Sequence, residues 1–176
     1  MKKILTVLFA LCISASITAC GTSSSAPQKE TNSNSVSEGN PPNTEGETFT
    51  LNDTAVFKNL KVTATKIEES GGNAYITPES GNVYVGISFE IENISNESQA
   101  ISSMLLFDAY ADDVKCNYSI SANTAFNEGM LDGEISAGKK LVGCYATEVP
   151  NDWQKLELEV KSDWLSGNKA KFVFTK

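Results

Sequence analysis

The chain is expected to fold as an all-β sandwich, and three observations lead there. Through most of residues 48–176 apolar side chains recur at every second position, the period of a strand with one buried and one wet face. The runs are short and are separated by Gly, Asn, Asp and Ser clusters that favour turns. Helical turns are suggested only at 123–131 and 150–154, too little to change the class. About seven or eight strands follow from the spacing. Antiparallel pairing follows from the single wet face of each strand.

The clearest strand is 83–92. Val83, Val85, Ile87, Phe89 and Ile91 share one face, and Tyr84, Gly86, Ser88, Glu90 and Glu92 the other. On a helix the same apolar set would scatter around the cylinder. Leu60, Val62 and Ala64 repeat the pattern, as do Leu156, Leu158 and Val160, and Ala170, Phe172 and Phe174. Three further inward sets are expected: Leu105, Phe107 and Ala109; Val114, Cys116, Tyr118 and Ile120; and Val142, Cys144 and Ala146. Turns are expected at Gly71-Gly72-Asn73, Asn93 to Ser98, Ala111-Asp112-Asp113, Ala137-Gly138 and Ser166-Gly167-Asn168.

The stretch before this domain has a different character. Lys2 and Lys3 form a short positive start, Ile4 to Ala15 is an uncharged apolar run of twelve residues, and Ile17-Thr18-Ala19-Cys20 follows. Positive start, apolar run and small residues make a secretory signal. The run is too short for a spanning helix, which needs about 20 apolar residues. Ile17-Thr18-Ala19-Cys20 resembles the bacterial lipobox, with Thr18 a less usual choice than Ser or Ala. The resemblance implies cleavage after Ala19 and covalent lipid on Cys20, with two or three acyl chains giving a stable hold on the membrane. The expected organisation is therefore a signal peptide over 1–19, a lipidated Cys20 with a disordered polar tether over 20–47, and the sandwich over 48–176. Within 21–47 only Ala26 and Val36 are apolar, so the stretch cannot bury enough surface to offset its ordering entropy. As a flexible coil its 27 residues would span about 30 Å.

Charge excludes several functions. The chain has no His and no Arg, and a net charge of −8. Losing Lys2 and Lys3 with the signal leaves twelve lysines against twenty-two acids, a charge of −10. Nucleic acid is thus not an expected partner, since its phosphates require a cationic surface. Contact with the membrane is expected through lipid on Cys20 rather than through a basic patch. An all-lysine basic set is in keeping with a low-GC, Gram-positive source. Without His the commonest general base and zinc ligand are missing, and no nucleophile or phosphate-loop motif stands in the sequence. No catalytic residue, cofactor or metal is expected. Asp108, Asp112 and Asp113 could offer oxygens to Ca²⁺, but they lack the spacing and glycine of an EF-hand loop, and Asp is a natural turn former.

Two candidate features remain. Cys116 and Cys144 are an even pair in an oxidising compartment and are expected to form a disulfide. Such a bridge would close 29 residues and contribute roughly 3–4 kcal/mol. Two free buried thiols are the alternative. Trp153 and Trp164, with Tyr84, Tyr110 and Tyr145, could form an aromatic platform for a sugar or small ligand, or could simply pack.

Several segments together resemble a family of telokin-like, immunoglobulin-like domains of unknown function found in Gram-positive lipoproteins. They are the strand ending Ile91-Glu92-Asn93; Leu105-Leu106-Phe107-Asp108-Ala109-Tyr110 before an Asp-rich turn; and Ile135-Ser136-Ala137-Gly138-Lys139-Lys140-Leu141-Val142-Gly143 followed by Glu148-Val149-Pro150. Ala137 stands where the family usually has Pro. The resemblance covers most of 51–176. It implies an immunoglobulin-like fold shared with the mycobacterial immunoprotective extracellular antigen, and brings no catalytic residues. The expected function is a non-catalytic, membrane-anchored module on the outer face of the cell membrane. Its expected partner is a protein at the cell envelope or, alternatively, a small ligand or carbohydrate held on surface aromatics.

Overall fold

The computed structural model describes residues 27–30, 47–163 and 167–176. The signal peptide, Cys20 and Trp164 lie outside them. Twelve strands are described. In chain order they are β1 (Gln28–Lys29), β2 (Thr48–Phe49), β3 (Thr54–Val56), β4 (Leu60–Ser70), β5 (Asn82–Asn93), β6 (Gln99–Ile101), β7 (Phe107–Ala111), β8 (Val114–Cys116), β9 (Gly133–Ile135), β10 (Lys140–Pro150), β11 (Lys155–Lys161) and β12 (Lys169–Thr175). Two single turns of helix, α1 (Ser103–Leu106) and α2 (Ile120–Asn123), complete the chain.

Two five-stranded sheets form the sandwich. One, sheet A, has the order β1-β3-β4-β5-β10; the other, sheet B, has the order β2-β12-β11-β7-β8. Strands β6 and β9 make a separate ribbon. Pairing is antiparallel throughout except for β2 beside β12. The fold is the all-β sandwich that the period of two predicts.

The core fills the space between the sheets. Val85, Ile87, Phe89 and Ile91 of β5 face Phe107 and Ala109 of β7, Leu156, Leu158 and Val160 of β11, and Phe172 and Phe174 of β12, all buried. Phe89 meets Phe107 and Phe172 edge-on at centroid distances of 5.6 and 5.5 Å, the preferred geometry for aromatic pairs. Burying side chains of this size contributes about 1.5–3 kcal/mol each before conformational entropy is set against it. The β7–β8 connection is Asp112-Asp113, both at positive φ, 47° and 68°. That is the two-residue turn whose twist suits a hairpin.

Three expected inward sets are corrected. The turn of α1 interrupts the alternation before β7, so Leu106, not Leu105, points inward, and Leu105 is exposed. Val114 and Ile120 are exposed, while Cys116 and Tyr118 between them pack on the core. In β10 the register is inverted: Tyr145 and Val149 lie in the main core, whereas Cys144 and Ala146 face out of the sandwich into a second, smaller cluster. The helix expected at 123–131 is four residues placed earlier, at Ile120–Asn123, and in place of the one expected at 150–154 there is the end of β10 followed by a turn at 151–152. Within residues 27–30, expected to be part of a featureless tether, Gln28–Lys29 form the edge strand β1.

Candidate functional site

The outer faces of the two sheets differ, and the difference locates the site. On sheet B the outward residues of β7, β8, β11 and β12 form ion pairs. Asp108 lies 2.8 Å from Lys115 and 2.6 Å from Lys161; Glu157 is 2.9 Å from Lys171, and Glu159 is 2.8 Å from Lys169. Lys115, then Lys161, hold the Asp108 carboxyl below its ordinary range, and Lys171 does the same for Glu157.

On sheet A part of the outward face is covered. A strap running from Ser119 to Met130 crosses it. Ser119 caps α2, its hydroxyl accepting from the Ala122 amide at 3.0 Å, an arrangement that satisfies one of the free donors of a helix start. The strap is pinned to the free edge of β10 at both ends. The Ser119 amide donates to the Ala146 carbonyl (3.0 Å), and the Cys144 amide donates to the Gly129 carbonyl (2.7 Å). Beneath it Tyr84, Ala122, Phe126, Cys144 and Ala146 form the second cluster. Two strand glycines admit the strap. A Cβ at Gly86 would come within 2.9 Å of the Phe126 ring, and one at Gly143 within 2.7 Å of the Gly129 carbonyl. A glycine inside a strand is the mark of such a close approach.

Beside the strap the face stays open. A groove of about 390 Å³ is lined by Thr65, Lys66, Ser88, Glu128, Val142 and Gly143. The β-bulge between Ala64 and Lys66 shapes one wall by sending both Thr65 and Lys66 toward it. Lys66 sits 2.8 Å from Glu68 and 3.4 Å from Glu128, so it ties the strap to the sheet across the groove. Val142 is 61 % exposed on the opposite wall. A second hollow of about 320 Å³ continues past Glu128 toward Glu68 and Phe126.

The candidate residues read from sequence are placed as follows. Cys116 and Cys144 are both free thiols, which corrects the expected bridge. The physical reason is the inverted face of β10: Cys116 packs on the main core between the sheets, Cys144 under the strap, and sheet A separates them. Burial, then the nearby Glu128 and Glu68 charges, push the Cys144 thiol up to about 12, and burial likewise raises Cys116. Neither is therefore an activated nucleophile.

Of the residues weighed as an aromatic platform, Tyr145, Tyr84 and Trp153 are buried, Tyr110 is half-buried on the outer face of sheet B, and Trp164 lies outside the described residues. Tyr145 is buried against Phe107, with rings 5.4 Å apart and nearly parallel. Tyr84 is buried beneath the strap. Trp153 is buried at the end of the sandwich, its indole N–H donating to Glu69 at 2.7 Å and Lys176 lying 5.5 Å from its ring. The reason is that β10 and β5 carry apolar surface on both faces. The three acids weighed for Ca²⁺ do not converge: Asp108 is held by two lysines, Asp112 accepts from the Gln154 and Lys155 amides, and Asp113 pairs with Lys155. Among the described residues no group of three His, Cys, Asp or Glu side chains could hold a metal.

Sequence reasoning missed the groove residues Lys66, Glu128 and Val142. The signal that could have found them is the pair of glycines, Gly86 and Gly143, lying opposite the core face or beside it in otherwise strong strands.

Several solved structures of Bacillus and Clostridium proteins share this fold. A candidate lipoprotein of Bacillus subtilis, ycdA, superposes with a TM-score of 0.56 at 15 % identity over 66 % of this chain, which spans only 36 % of that protein. A β-sandwich protein of Clostridium difficile superposes at 0.50 with 18 % identity, over 77 % of this chain and 100 % of the other. The yjhA protein of Bacillus subtilis superposes at 0.51 with 16 % identity, over 72 % and 98 %. No curated protein matches the chain. Residues 49–171 match the family described as DUF4352, a domain of unknown function, and by a match over that much of its length the chain belongs to the DUF4352 family.

Proposed function

We propose that the chain is an exported lipoprotein, anchored through Cys20 on the outer face of the cell membrane, that acts by binding a protein partner rather than by catalysis. The binding surface is the open part of the outer face of sheet A. The observation that carries this reading is the groove beside the strap. There an exposed apolar side chain, Val142, lies next to polar groups already held in position, Thr65, Lys66 and Glu128. An apolar anchor within a polar rim is the composition of a protein-binding surface. The outer face of sheet B is instead ion-paired along its strands. The lipobox-like Ile17-Thr18-Ala19-Cys20 and the likeness in fold to a candidate lipoprotein support the location.

The test is photo-crosslinking in the native envelope. A photoreactive side chain at position 142 should yield a discrete protein adduct that the same group at position 171, on sheet B, does not. Equal or absent adducts at the two positions would count against the surface. Acyl labelling of the wild type but not of Cys20→Ala, measured in the same cells, checks the anchor.

A further inference from the structure

Sheet A would end at β3, whose outer edge would otherwise present unpaired backbone groups. Edges of this kind are templates for another strand. The occupant here comes from the chain's own tether. Gln28 lies opposite Val56 and Lys29 opposite Ala55, antiparallel, and the Glu30 amide donates to the Thr54 carbonyl at 3.1 Å. Pro27 is buried at the start of this strand, a position where its missing N–H costs no ladder bond.

The side chains match as well as the backbone. Lys29 is 2.6 Å from Asp53. Asp53 is held in place beforehand, accepting from the amide and the hydroxyl of Thr50 at 2.8 Å each. Burial would raise its carboxyl, but the bonds from Lys29 and Thr50 leave it below the ordinary value. The next residue, Glu30, accepts from Lys61 of β4. A Lys-Glu pair on the tether thus meets an Asp-Lys pair on the sheet edge in register.

We propose that this edge is a strand acceptor for Pro27–Glu30 of the same chain, and that the tether consequently has two lengths. Docked, six residues separate Cys20 from Pro27, a length that as a flexible coil would reach about 15 Å. Released, 27 residues separate Cys20 from Thr48, a length that as a flexible coil would reach about 30 Å. A ladder of two residues is marginal and exposed ion pairs add little, so docked and released forms exchange. The strand-docking part stands alone; the change in standoff rests on anchoring at Cys20.

Two measurements separate these parts. In the mature chain carrying Cys20→Ser, exchange of the Glu30 amide with solvent should be slowed about tenfold relative to an unstructured peptide, an order of magnitude suited to a few marginal hydrogen bonds. Glu30→Lys should abolish the slowing, and Glu30→Lys with Lys61→Glu should restore it. Exchange at the unstructured rate in the unmodified segment overturns the proposal, as does failure of the double variant to recover. Protection that rises with protein concentration would assign the strand to a second copy and also overturn it. In the lipidated chain on vesicles of phosphatidylglycerol and phosphatidylethanolamine, energy transfer from a dye at Tyr75→Cys to a lipid acceptor should fall when Glu30→Pro removes the donor to Thr54. Unchanged transfer with the protein still vesicle-bound overturns the two-length tether, whereas protein that does not float with the vesicles overturns the anchor alone.

Discussion

The outer faces of the two sheets begin from the same alternating pattern and end as different surfaces. On sheet B every second residue of β11 and β12 is Lys or Glu over most of their length, and these side chains pair across strands. Such a face needs no cover, because its ionic groups are solvated where they stand. On sheet A the outward positions of β5 and β10 include Tyr84, Gly86, Cys144 and Ala146, and these are roofed by the strap. The comparison teaches that the outward half of an alternating strand, usually passed over as wet, records what lies on top of it.

The contrast between inner and outer positions should give the largest effect. Leu158→Ala, within the shared core, should cost about 2–5 kcal/mol in urea unfolding, while Glu159→Ala beside it on the outer face should cost less than about 1 kcal/mol. Similar losses at the two positions would remove the basis for calling one face core and the other solvent.

A change to the roof should be smaller and confined to sheet A. Phe126→Ala should cost about 2–3 kcal/mol, short of a full core phenylalanine, because the second cluster has few members. It should also expose Cys144. In the wild type, thiol labelling at pH 8 should modify half-buried Cys116 well before buried Cys144, and both only fully in denaturant without reductant, since neither is bridged. In the variant the Cys144 rate should rise at least several-fold. Unchanged labelling would mean that the strap does not shield the thiol.

The smallest effect belongs to the ionic face. Asp108 has a folded-state pKa below its ordinary 3.8, chiefly through Lys115 and then Lys161. A depressed carboxylate contributes stability above its unfolded pKa and loses it as pH falls through the folded value. The advantage of wild type over Asp108→Asn should therefore be present at neutral pH, shrink from about pH 5 to about pH 2, and stay below about 1 kcal/mol, because Lys115 is more than half exposed. An advantage that grows in acid would contradict the pairing.

Where a strand is apolar on one face only, its side chains could be assigned from sequence. The inward sets of β4, β5, β11 and β12 stand where the alternation puts them. Assignment failed at β10, where Leu141, Tyr145 and Val149 compete with Cys144 and Ala146 for the core. With apolar residues at both parities, period two gives no preference for either face. The same failure misplaced the disulfide and Tyr145, whereas Tyr84 stands on the outward face that the alternation gives it and is buried only by the strap. At Leu105 the reason is different: one turn of α1 advances the chain by a residue's phase and moves the inward position to Leu106. The groove was hidden because its walls come from β4, β5, β10 and a strap distant in sequence.

Local order in the chain was enough to determine the class of fold, the inward faces of β4, β5, β11 and β12, and the lipobox-like segment around Cys20, since each depends on neighbours two to four residues apart. Tertiary structure alone decided which face of β10 is buried, that Cys116 and Cys144 lie on opposite sides of a sheet, and that Gln28–Lys29 closes the edge at β3. Those outcomes depend on residues 25 or more positions apart, such as Gln28 and Val56. Their free energy appears only when the two surfaces are brought together.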